Sequence, residues 1–87
     1  MPTMRAADGQ KLAEEHLALA NRHIAEAKER IARQSALVGR MAAAGWDTSL
    51  SQSLLKEMQR ALDLMYEHRA HIMRELSELS RSSQIRS

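Results

Sequence analysis

The stretch Met41-Ala-Ala-Ala-Gly-Trp-Asp-Thr-Ser49 sets a helix stop directly before a helix start. With Ala44 as C-cap, Gly45 falls at C′, where a left-handed backbone has no steric cost for a residue lacking Cβ, and Trp46 falls at C″. Met41 is then C3, so the apolar contact that accompanies a Schellman turn pairs Met41 with Trp46. Asp47, Thr48 and Ser49 are all competent N-caps for a second helix, and Ser49 with Gln52 has capping-box spacing. A connection this short, with the turn at 45–48, obliges the flanking segments to run antiparallel if both are helices.

Both flanks read as helices. Ala, Leu, Glu, Lys, Arg and Gln dominate them, and these side chains lose little freedom in a helix. The sequence predicts helix 1 over about 10–44 and helix 2 over about 49–80, leaving 1–9 as a flexible N-terminus and 81–87 as a disordered, mildly basic tail. Within helix 1, Leu17, Ile24, Ile31 and Val38 recur every seven residues, interleaved with Ala13, Ala20, Ala27, Gln34 and Met41. Leu55, Leu62, Arg69 and Leu76 alternate with Met58, Met65, Ile72 and Leu79 in the same way after the turn. Such a repeat is an a/d seam, which keeps two helices in lengthwise contact. The expected fold class is therefore all-α, an antiparallel two-helix hairpin of coiled-coil type. The favoured register sets Val38 against Met58, Ile31 against Met65, Ile24 against Ile72 and Leu17 against Leu79, with Ala20 facing Leu76 and Ala27 facing Arg69.

Apolar residues also stand outside the seam: Leu12, Leu19 and Leu37 in helix 1, and Leu50, Leu54, Ala61 and Met73 in helix 2. They widen the apolar stripe toward that of helices with more than one neighbour. Eighty-seven residues make one small domain, with Trp46 and Tyr66 as the only aromatics and no cysteine. Disulfides and thiolate metal sites are thereby excluded, leaving association as the expected source of stability. The simplest assembly is a homodimer of hairpins forming a four-helix bundle, since two-fold dimers are the commonest oligomers; another helical protein is the second candidate.

No apolar run approaches the roughly 18 residues needed to cross a bilayer, and the Met-Pro-Thr-Met-Arg start lacks the apolar core of a secretion signal, so the expectation is a cytoplasmic protein with no membrane partner. A net charge of +2, with both signs interspersed, does not predict nucleic-acid binding. That role would need a basic face after assembly, to which Arg22, Lys28, Arg33, Arg40, Lys56, Arg60, Arg74 and Arg81 are the candidates.

The motifs of catalysis are missing. There is no Gly-rich phosphate loop, cysteine nucleophile, serine elbow or metalloprotease histidine pair, so no catalytic residue and no cofactor are assigned. Glu26 with Arg30 and Glu29 with Arg33 have the spacing of surface ion pairs. Hairpin geometry puts His23 at the height of His68 and His71, and the last two have a spacing able to chelate zinc or nickel. His71 occupies an outer position, however, so surface histidines are the preferred reading over a metal site. A His-containing phosphotransfer module is an analogy of architecture only, because the proline usual after the acceptor histidine is lacking. Two polar residues interrupt the seam. Gln34 and Arg69 are read as register-setting, with Arg69 laying its methylenes over the seam while its charge reaches water.

The segments Ala20 to Gln34, Ala44 to Thr48 and Tyr66 to Leu76 resemble short proteobacterial proteins of uncharacterised role that join two charged, Leu-rich helices through a Gly-x-Asp-Thr turn. The resemblance spans roughly residues 12 to 78 and implies a hairpin fold in a bacterial cytoplasm. It implies no activity, substrate or catalytic residue. The functional expectation is a protein–protein interaction module, a self-associating scaffold or regulatory adaptor.

Overall fold

The computed structural model describes the backbone of residues 6–85 and the side chains of residues 8–82. Two helices, α1 (Ala6–Ala43) and α2 (Ser49–Ile85), pack against each other along their length. The result is a rod of 66 × 20 × 19 Å, its length close to the roughly 57 Å that 38 helical residues span.

Both helices extend beyond the sequence-based bounds. α1 begins at Ala6, inside the segment read as a flexible N-terminus, and α2 continues to Ile85, inside the segment read as a disordered tail. Neither Gly nor Pro occurs after Gly45, so nothing in the last residues breaks the backbone ladder. Ala6 and Ala7 are strong helix formers. Gly9 does not end α1, and a Cβ there would meet Leu79 Cδ2 at 3.9 Å. The rest of those two terminal segments, residues 1–5, 86 and 87, lies outside the described residues.

The turn closes with two hydrogen bonds of a Schellman motif. Trp46 N donates to Met41 O at 2.9 Å and Gly45 N to Ala42 O at 3.0 Å, with Gly45 at φ 78°. The Trp46 indole stays 68% exposed. Met41 is half-buried, and its sulfur accepts instead from Ser51 Oγ at 3.6 Å. α2 starts with Thr48 at the N-cap. Its carbonyl accepts from Gln52 N at 2.8 Å, and its hydroxyl from the Gln52 side chain at 2.8 Å. Asp47 Oδ1 accepts from Ser49 N at 3.0 Å and from Ser49 Oγ at 2.6 Å, and these two bonds hold its carboxyl below the ordinary aspartate value of 3.8.

The register differs from the expected one. Gly9 lies against Leu79, Asn21 accepts from Arg69 Nη1 at 3.3 Å, and Gln34 Nε2 donates to Ser51 O at 3.2 Å. The partners in α2 stand eight, six and eleven residues nearer the turn than the favoured layers placed them, a slide of about one heptad for the first two and somewhat more for the reach of Gln34. A seven-residue repeat looks the same after a slide of seven, so the pattern alone does not choose between the two. The tight turn does choose, by bringing Met41 and Ser51 together as the first layer.

The core between the helices is thin. Ala13, Ala20, Ile24, Ala27 and Ile72 are the buried apolar residues, and among the described residues no side chain is less than 2% exposed. Seam positions such as Leu17, Ile31, Val38, Leu55, Met58, Leu62 and Met65 reach only half-burial.

Candidate interaction surface

The two seam irregularities have distinct solutions. Gln34 is half-buried and satisfied by the helix 2 backbone through its bond to Ser51 O. Arg69 is half-buried as a residue while its bond to Asn21 lies at the exposed rim, and its guanidinium carbon sits 5.0 Å from the centre of the Tyr66 ring. The stem covers the seam and the charge reaches the edge, where amide and aromatic partners meet it.

Arg69, Asn21 and Tyr66 mark one side of the hairpin. Leucines occupy the other. Steps of four and three residues from Leu12 lead through His16, Leu19, His23 and Glu26 to Arg30, Arg33, Leu37 and Arg40, and the same steps from Leu50 lead through Leu54, Glu57 and Ala61 to Leu64 and His68. In antiparallel helices these two rows flank the same edge of the seam. Concave stretches along this side share residues end to end. His16, Leu19, Ala20, His23 and His68 line the first, and Ala20, His23 and His68 continue with Leu64 and Met65 into the second. Met65 then leads to Ala27, Ile31, Ala61, Met58 and Arg30, and the last two continue to Leu37 and Leu54, which adjoins Leu50. One shallow groove therefore runs along most of the rod.

Of the eight large apolar residues left exposed among the described residues, six lie on this side: Leu12 (41%), Leu19 (43%), Leu37 (39%), Leu50 (86%), Leu54 (53%) and Leu64 (65%). The sequence alone singles out Leu12, Leu19, Leu37, Leu50, Leu54 and Ala61. It passes over Leu64, although that residue continues the four-and-three spacing of Leu50, Leu54 and Ala61. Met73 is exposed but falls seven residues after Tyr66, on the opposite side, and does not extend the groove.

Three imidazoles enter this surface. His23 and His68 share it as their common height suggested, and the third is His16, two turns from His23, instead of the exposed His71. Among the described residues no group of three His, Asp or Glu side chains is arranged to hold a metal ion. The ion pairs are Arg33 with Glu29 at 3.0 Å and Arg60 with Glu57 at 3.2 Å, all two-thirds exposed or more, where such pairs contribute a few tenths of a kcal/mol. Arg30 lines the groove. Among the described residues no helix is long and apolar enough to cross a membrane.

No protein-family model matches the chain, and no curated protein or solved structure is detectably similar to it.

Proposed function

We propose that the chain is a self-associating interaction module, a small scaffold or adaptor whose working surface is the leucine-lined groove, and whose assembled form is a four-helix bundle of two hairpins. The supporting observation is the segregation of six exposed leucines to one side of a rod that buries few side chains within itself. At about 2 kcal/mol for burying a fully exposed leucine, covering what these six still expose contributes roughly 6 kcal/mol per protomer. Two protomers together reach the scale of the roughly 4 to 15 kcal/mol that association costs in lost freedom. A cytoplasmic setting and the absence of catalytic work belong to the same reading.

Sedimentation of the full chain over a concentration series tests this. The expected result is a reversible shift from the 9.8 kDa monomer to twice that mass. Leu64→Glu, at the middle of the groove and largely exposed in the single hairpin, should weaken association at least about a hundredfold while leaving helix content unchanged. A monomeric mass at every concentration removes self-association and leaves a different helical protein as the partner. Association insensitive to Leu64→Glu removes the groove.

A further inference from the structure

We infer that the occupant of the groove is a second copy of the chain lying antiparallel to the first, with the turn of each hairpin against the open end of the other. This rests on the self-association proposed above and specifies its geometry.

The argument is charge complementarity along the groove side. Near the turn this side carries Arg30, Arg33 and Arg40, with Glu26 and Glu57 as the carboxylates at the same row positions, Glu26 one turn before Arg30. Glu57 is engaged by Arg60 at 3.2 Å and Arg33 by Glu29 at 3.0 Å, which leaves Arg40, nearest the turn and without a carboxylate beside it on its row, as the charge that decides the arrangement. Toward the open end the same rows carry Glu75 and Glu78 and, among the described residues, neither Lys nor Arg. Two hairpins laid side by side with their turns together would set Arg40 of one against Arg40 of the other at the edge of an apolar cover, where like charges repel more strongly than in open water. Reversing one hairpin instead brings Arg40 of each copy to the height of Glu75 and Glu78 of the other. One surface then supplies both halves of the complementarity, as a two-fold contact requires.

The leucines fit the same operation. Leu37, Leu50 and Leu54 lie near the turn, Leu12 and Leu19 toward the open end, and Leu64 near the middle. A two-fold axis crossing the rod near Leu64 sets the turn-end cluster of each copy on the open-end pair of the other. It also lays Leu64 against its own counterpart.

The cysteine-free chain allows a direct test. Ala43→Cys places a spin label at the turn, exposed and off the groove side, in the full chain. Pulsed dipolar spectroscopy on the dimer should give a label-to-label distance near the helix length, about 50 Å. A turn-to-turn distance within about 25 Å overturns the antiparallel arrangement while leaving self-association intact. A monomeric mass for the labelled and unlabelled chain alike overturns both. As a charge test, Arg40→Glu should weaken the dimer about tenfold, and adding Glu75→Arg with Glu78→Arg should restore it; unchanged affinity in Arg40→Glu contradicts the complementarity.

Discussion

The same substitution should have opposite effects at Gly39 and Gly45. A Cβ at either position meets nothing within 4 Å, so packing contributes to neither and only the backbone distinguishes them. Gly39 lies inside α1 on the side away from the leucine groove, and replacing an interior helical glycine by alanine stabilises by about 0.8 kcal/mol, chiefly through unfolded-state entropy. Gly45 holds φ at 78°, where a residue with a Cβ is strained by roughly 1 to 2 kcal/mol. The lost freedom of the unfolded chain offsets about 0.5 kcal/mol of that, so Gly45→Ala should destabilise by about 1 kcal/mol. With a urea dependence of about 1 kcal/mol per molar, the midpoints move by about 0.8 M upward and about 1 M downward. Both variants and the parent chain must be compared at one protomer concentration, because association contributes to the apparent stability. An upward shift for Gly45→Ala would refute the left-handed turn and the helix stop built on it.

Arg69→Leu should raise stability by about 1 kcal/mol in the same assay: the bond to Asn21 and the Tyr66 contact are lost, but a leucine completes the seam. A loss of several kcal/mol would mean the guanidinium is needed where it lies. Asp47→Ala should lower stability at pH 7. Because the folded-state pKa of Asp47 is depressed, its stabilising effect is fully present above 3.8 and disappears as pH falls through the lowered value, so the two chains should converge in strong acid; a constant gap down to about pH 2 would contradict a stabilising role for its two bonds to Ser49.

The turn is the most legible part of the chain, because its chemistry is local. A glycine after an alanine run, then Asp-Thr-Ser, specifies a stop and a start without reference to anything distant. The two-helix architecture is legible in seven-residue spacing for the same reason. Register is harder to read, since sliding one helix past the other by a heptad leaves every a and d residue on the seam; only the closure at Met41 and Ser51 breaks that degeneracy. The working side lies deeper still. Leu12, Leu19, Leu37, Leu50 and Leu54 stand out as surplus leucines, but their gathering on one edge emerges only when both helices are laid antiparallel and their outer positions traced together. That step also admits Leu64 and His16 and excludes Met73. Helix ends are misread when polar composition is equated with disorder, whereas the serines and glutamine after Leu79 carry no breaker.

The pairing of distant residues across the hairpin grades the loop each contact must close along the rod. At the turn, Met41 meets Ser51 after closing a loop of only ten residues, while Gly9 meets Leu79 after seventy. The short loop costs less chain entropy to close than the long one, although the buried side chains, Ala13, Ala20, Ile24, Ala27 and Ile72, lie away from the turn. In an antiparallel pair the turn end of each molecule covers the open end of the other, so protection against amide exchange at residues near Leu12 and Leu79 should rise and fall with protein concentration.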